Sequence, residues 1–298
     1  MRKFLWLVAL GSGLTSGVWG QIKKQFSVEN TELCNRVELH LKAKTGNCFV
    51  RPSQNSDLLN IYSNQDLEEY NHSFSNEVSG KTCRVKLALE EESQKGVSQK
   101  ISYRVFGSDE NSYDKFWKVY LTDNIPYSLD LDYGLGNANI DLSGLAIEKL
   151  KINTGSADVN ISYSSGIENQ VEMDTFFVNV DMGSFTAKQL SLSRSRVVIA
   201  EVGFGNIMLD FSNTPSVSNH IIGSVGAGNL VITLPDENTP VLVKINDSWL
   251  CSVSPSKSLK KIANDTFANA AYGRDHKNEL TFDLEVSMGK IIFKEKAN

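Results

Sequence analysis

The stretch VGFGNIMLDF, running from Val202 to Phe211, couples a glycine to apolar residues at every second position, Ile207, Leu209 and Phe211. It returns 23 residues later as VGAGNLVITL from Val225. Working outward, the same phrase reads as YGLGNANIDL from Tyr133, NTGSADVNIS from Asn153, VDMGSFTA from Val180 and VSMGKIIF from Val286. Anchored on Gly136, Gly155, Gly183, Gly205, Gly228 and Gly289, the copies are separated by 19, 28, 22, 23 and 61 residues. Most of these spacings are those of one coil in a stacked repeat. A residue without Cβ takes positive φ or admits a close backbone neighbour, which a stack needs wherever its chain turns a corner. After each glycine the side chains alternate, as in Ala138, Ile140 and Leu142, or Ile207, Leu209 and Phe211. Period two marks a half-buried strand, and stacked strands of this kind complete one another's core.

Further alternating segments lie between the anchors, including Phe176–Val180, Val197–Ala200 and Leu280–Val286. The fold expected is all-β, a solenoid-like repeat array with a smaller N-terminal β segment. Leu259–Ala271 is the best candidate for a helix, because Leu259, Ile262, Ala263, Phe267 and Ala270 fit one helical face. Residues 21–95 carry a less regular pattern, with alternation at Val37, Leu39 and Leu41 and a weaker glycine phrase at Gly46. The polar run Glu90–Lys100 divides this segment from the main array at 101–298, although one continuous solenoid with a long insertion fits the same residues.

Residues 1–20 read as a signal peptide: Arg2 and Lys3, the apolar run Phe4–Leu10, then small residues before Gln21. The run is too short to span a bilayer, and no later stretch approaches the length required. Cleavage there takes the net charge from −5 to −7. The expected product is exported, to the periplasm, the outer surface or the medium, with no transmembrane span. An acidic chain also lacks the basic excess that a nucleic-acid backbone requires. Export makes disulfides available to Cys34, Cys48, Cys83 and Cys251. One N-terminal bridge with two unbridged thiols and two full bridges both fit their spacing.

No residue pattern announces a reaction. GLGNAN at Gly134 has Asn139 where a dinucleotide fingerprint needs its third glycine, and a strand follows instead of a helix. GxSxG is absent, Gly80-Lys81-Thr82 lacks the first glycine of a phosphate loop, and the histidines are scattered without metal-ligand spacing. Calcium repeats require an Asp two residues after their second glycine, and none of the glycine phrases carries one there. The expectation is therefore no catalytic residue, no metal and no cofactor. Asp174, Asp181, Arg194, Arg196 and Glu201 lie in one neighbourhood, of the acid and base kind that a glycan lyase or hydrolase would use. Candidate partner-surface residues are Trp117, Tyr120, Asn139, Asp141, Asp158 and Asn160. The aromatics among them serve equally to close the open end of the core, together with Tyr127 and Tyr133.

The phrases LDLDYGLGNANIDLSGLAIEKLKINTGSADVNI, VVIAEVGFGNIMLDF, VGAGNLVITLP and EVSMGKIIF resemble the toastrack, or putative-adhesin, domains of bacterial envelope proteins, over residues 115–298. The same domain type occurs in the C-terminal part of LiaF-type envelope-stress regulators. The segment with Cys34 and Tyr62 resembles the N-terminal extension of exported relatives from Gram-negative bacteria of the Bacteroidetes type. The resemblance implies a β-rich repeat fold for recognition or assembly at the envelope, with no enzyme activity. It leaves a partner protein, a cell-surface glycan or a second copy of the chain as what is bound.

Overall fold

The computed structural model of the chain describes residues 24–30, 33–64, 70–91, 115–247, 249–274 and 278–296. The expected signal peptide, the polar run beyond Glu91 and His276 lie outside the described residues. Those described are almost entirely β-strand, with one 3-10 turn at Leu190–Ser193. In chain order the first strands are β1 (Lys24–Val28), β2 (Arg36–Thr45), β3 (Asn47–Ser53), β4 (Leu59–Ser63), β5 (Tyr70–Ser79) and β6 (Thr82–Glu91). Then come β7 (Phe116–Thr122), β8 (Pro126–Leu135), β9 (Ala138–Asp141), β10 (Ala146–Ser162), β11 (Met173–Ala187), β12 (Ser195–Asp210) and β13 (Asn219–Leu234). The chain ends with β14 (Val241–Asp247), β15 (Cys251–Ser254), β16 (Lys260–Ala263), β17 (Thr266–Ala268) and β18 (Leu280–Glu295).

Strands β10, β11, β12, β13 and β18 stack in parallel. Inward-facing residues along each of them change parity part-way. In β12 the core takes Val198, Ala200 and Val202, then Ile207 and Leu209. In β18 it takes Phe282, Leu284 and Val286, then Ile291 and Phe293. A flat strand returns a side chain to one face every second residue, so an odd step is a bend. Each long strand is therefore two arms joined at a corner, and both arms turn the same apolar face inward. Phe176 and Phe185, on opposite arms of β11, approach to 6.2 Å, and Phe211 meets Phe282 edge-on at 5.5 Å.

Gly183, Gly205, Gly228 and Gly289 occupy the corner in register, with φ of 133°, 145°, 148° and 140°. Gly136 continues the column at φ 128°. A Cβ on Gly205 would be driven into the carbonyl oxygen of Gly183, and one on Gly228 into that of Gly205. Gly155 lies elsewhere. The residue opposite Gly183 is Ala157, whereas Gly155 stands in an upstream column with Gly134, Gly203 and Gly226. In that column an added Cβ would meet the preceding coil's carbonyl oxygen at 2.5–2.9 Å. The phrase NTGSAD keeps the first glycine of the GxG pair and replaces the second with alanine, which is why glycine matching takes the wrong column.

Toward the N-terminal end, β8 and β9 form the two arms of the next coil against β10, and β2 and β3 stack on them. The last parallel coil pairs β6 with β2 and β7 with β3, and β5 and β4 extend it antiparallel. Strands from residues 24–91 and 116–141 thus alternate within one sheet and share one core. Cys34 and Cys83 form a disulfide with Cα atoms 5.6 Å apart, tying the approach to β2 onto β6. Cys48 and Cys251 are not bridged, and burial pushes the Cys48 thiol up to about 12, leaving it inert. Of the two pairings the sequence allows, the structure has the single N-terminal bridge.

No helix forms over Leu259–Ala271. Strands β16 and β17 make a hairpin there, turned by Asp265 at φ 53°. Leu259 and Ala271 are buried but Ile262 is exposed, so the apolar residues that would share a helical face do not face the same way. Asp accepts the left-handed conformation such a tight turn needs.

Buried asparagines fasten the connections between coils. Asn169 Oδ1 accepts the Ile147 N–H at 2.8 Å, and its Nδ2 donates to the Ile147 and Val171 carbonyls at 2.7 and 2.8 Å. Asn269 binds the Val241 N–H and the Thr239 carbonyl in the same manner. Asn169→Ala strands these backbone groups out of water and should cost about 3 kcal/mol, read as a lowered urea midpoint. A loss below about 1 kcal/mol would show that water replaces the amide.

Candidate functional site

Polar residues that follow the corner positions form a ladder in two stretches. Asn47 Oδ1 accepts the Asn137 N–H at 3.0 Å, Asn137 Oδ1 that of Asp158 at 3.1 Å, and Asp158 Oδ1 that of Ser184 at 2.9 Å. Asn206 Oδ1 accepts from Asn229 at 3.2 Å further along the stack. Asp158, a candidate for the partner surface, is therefore engaged in holding the corner. The glycine-asparagine pairs in the sequence carried this signal, and Asp158 makes the same contact after Ala157.

Beyond the ladder, the outer face of the second arm forms a groove of about 490 Å³ lined by Arg51, Asn139, Asp141, Asn160, Thr186 and Lys188. Register puts these residues side by side: Asn139 pairs with Asn160 and Asn160 with Thr186, while Asp141 pairs with Ser162. Asn139, Asn160, Arg51 and Lys188 are exposed. Among the described residues, no hydrogen bond or ion pair engages any of their four side chains. Asp141 is different. Its Oδ1 accepts from the Ser143 N–H at 3.0 Å and the Ser143 hydroxyl at 2.6 Å, and its Oδ2 accepts from the Ser164 hydroxyl. Burial alone would raise its pKa, but these donors outweigh it and hold the carboxyl below its ordinary value. Asp141 thus stays a carboxylate turned toward its own serines, and the groove's exposed side chains left unengaged are two amides and two cations.

The aromatic candidates divide. Trp117 is only 1% exposed and its indole N–H donates to the Thr45 carbonyl at 3.4 Å. It fills the core behind β3, so it cannot touch a partner. Tyr127 and Tyr133 are likewise buried, with the Tyr127 hydroxyl donating to the Leu58 carbonyl at 2.6 Å. Tyr120 is partly exposed, edge-on to Tyr62 at 5.7 Å on the second arm. It shares that arm's outer face with Arg51, its register partner. The buried three fill the core on strands paired on both sides, β7 between β3 and β4 and β8 between β2 and β10.

The acid and base neighbourhood does not assemble. Glu201 pairs in register with Asn179, five residues along the strand from Asp174, which puts the two carboxylates about 16 Å apart. Paired glycosidase carboxylates lie within about 10 Å. Arg196 is held by Glu172 at 2.7 Å, and Arg194 donates to the Asn169 and Gln170 carbonyls. On the first arm, Arg84 meets Glu38 at 3.0 Å, Arg36 meets Glu148 at 2.9 Å, and Asp130 meets both His40 and Lys151. These are exposed pairs of small energetic weight on an ordinary solvated face. Among the described residues no group of His, Cys, Asp and Glu is placed to hold a metal, and no helix is long and apolar enough to cross a membrane.

Residues 19–184 match the family Toast_rack_N, described as the N-terminal domain of toast_rack, DUF2154. The chain belongs to the toastrack family. The toastrack match ends inside β11, one residue beyond the corner glycine Gly183, and takes in the strands of residues 24–91 as well as the first coils of the array. It therefore covers the segment whose own sequence likeness was weaker. No curated protein matches this toastrack chain. Among solved structures it is similar to a putative cell adhesion protein from Clostridium sporogenes ATCC 15579, at 15% identity over 92% of this chain and 98% of that one, with a TM-score of 0.45. A putative adhesin from Bacteroides fragilis NCTC 9343 is similar at 12% identity, over 91% and 95% of the two chains, with a TM-score of 0.35.

Proposed function

We propose that this toastrack protein is an exported, non-catalytic module of the bacterial cell envelope, adhesin-like in role, which binds an acidic glycan along the groove of its second arm. The single observation behind this reading is the groove's inventory: Asn139 and Asn160 offer amides to hydroxyls, while Arg51 and Lys188 offer cations without an acidic partner among the described residues. Asp141, the one carboxylate there, is already satisfied by Ser143 and Ser164. The Cys34–Cys83 bridge fits an oxidising compartment outside the cytoplasm. That compartment agrees with a signal peptide at residues 1–20, and its cleavage before Gln21 belongs to the same proposal. The wide separation of Asp174 and Glu201 favours binding over cleavage of the glycan.

The test is titration of the purified protein against acidic and neutral polysaccharides. The Arg51→Ala/Lys188→Ala variant should bind acidic chains at least about 10-fold more weakly, as loss of two charge-assisted contacts implies, with unchanged circular dichroism. Equal affinity of the variant would remove the groove from the account. Polysaccharide turnover abolished by Asp174→Ala or Glu201→Ala would overturn the non-catalytic assignment.

A further inference from the structure

One column of side chains at the corner is at odds with a solvated surface. Between the two glycine columns, register aligns Leu135, Ser156, Met182, Phe204, Ala227 and Met288 on successive strands. Leu250, whose carbonyl accepts the Gly289 N–H at 3.2 Å, follows on the far side of β18. Leu135 is 40% exposed, Met182 58%, Phe204 65%, Met288 54% and Leu250 42%. Beyond Leu135 the column continues with Thr45, so the seven positions from Leu135 to Leu250 make a ridge about 29 Å long that is apolar at all but Ser156. Glycines flank it at 134, 155, 203 and 226 on one side and at 136, 183, 205, 228 and 289 on the other. Asp181 is the one charged residue in its upstream flank from Gly134 to Ser287. Isolated exposed apolar residues need no explanation, but a contiguous line of them marks an interaction surface.

We infer that the ridge is a homophilic interface, occupied by the same ridge of a second copy laid antiparallel across a two-fold axis at Phe204. The order of residue sizes carries the choice of occupant. Reversed about Phe204, the column sets Leu135 against Leu250, Ser156 against Met288, and Met182 against Ala227. Each large side chain beside the centre thus meets a small one, the outer leucines meet each other, and Phe204 meets itself. Such self-complementarity is the requirement of an isologous contact, in which the same patch serves both partners. The flanking glycines let the two backbones approach. An acidic chain is also poorly suited to press this edge against an anionic lipid surface.

Sedimentation velocity over a concentration series tests the inference on the whole protein. Wild type should be a reversible dimer. Phe204→Glu, which sets two like charges face to face, should weaken it at least about 100-fold. Phe204 is exposed, so the variant is expected to fold, and circular dichroism checks this. Mixing Phe204→Glu with Phe204→Lys should restore a dimer that neither forms alone, and Phe204→Cys should cross-link to itself under mild oxidation. A wild-type monomer, a dimer indifferent to Phe204→Glu, or failure of the charge-reversed mixture would overturn the inference. So would a wild-type monomer that co-sediments with phosphatidylcholine vesicles through Phe204, since the occupant would then be lipid. Glycan titration of the Phe204→Glu protein keeps the groove and the ridge separable.

Discussion

Gly205→Val should bring the protein close to unfolding, with a loss on the order of 4 kcal/mol or more. Two independent costs add at this position. With φ at 145°, Gly205 adopts a conformation that a β-branched residue reaches only under strain. Its Cβ would also collide with the carbonyl oxygen of Gly183, which belongs to the backbone of the neighbouring coil and cannot swing away. Relief requires the two coils to separate at the corner, which opens the core between the arms. Since whole domains are stable by about 5–15 kcal/mol, one such substitution consumes much of the margin. Urea titration of Gly205→Val beside Ala157→Gly separates the effect from a general sensitivity to corner changes. Ala157 stands in the same column without positive φ, and its replacement should cost only about 1 kcal/mol of backbone entropy. Equal losses for the two variants would mean that the corner does not depend on the glycine conformation.

Breaking the Cys34–Cys83 bridge is the second large effect expected. The cysteines are 49 residues apart, and closing a loop of that length in the unfolded chain is worth about 4 kcal/mol. The bridge fastens the approach to β2 onto β6, a strand held between β2 and β5. The Cys34→Ser/Cys83→Ser protein should therefore unfold at lower urea than wild type, and wild type in reductant should move to the same midpoint. Cys48 and Cys251 offer no substitute, because Cys48 is buried with a suppressed thiolate. If wild type unfolds at one midpoint with and without reductant, the bridge does not contribute to stability.

The array was legible because its pattern is local. A glycine followed by alternating residues predicts which side chains enter the core, and Ile207, Leu209, Leu230, Ile232, Ile291 and Phe293 are all buried as the alternation requires. The columns were harder to assign, since two glycines two residues apart look alike in one dimension while only one of them turns the chain. Gly155 and Ala157 show this directly. The groove was half visible: Asn139, Asp141 and Asn160 lie within one phrase and its successor, but Arg51 arrives from a strand almost ninety residues earlier through the stacking of β3 on β9. Such meetings depend on the order of coils in space, which differs from their order in the chain. Trp117 failed as a surface residue for a related reason: β7 is covered by β3 and β4, both distant in sequence.

The 61-residue step from Gly228 to Gly289 holds β14 to β17, yet β18 returns to lie directly on β13 with the two glycines opposed. The stack tolerates a long excursion because nothing in the ladder depends on chain continuity from one coil to the next. The corner consequently behaves as a ruler graduated in strands. Gain or loss of one coil would alter the protein's reach in whole steps of about 4.8 Å while leaving every remaining neighbour in place. A protein of this build can change how far its surfaces extend without redesigning what they contain.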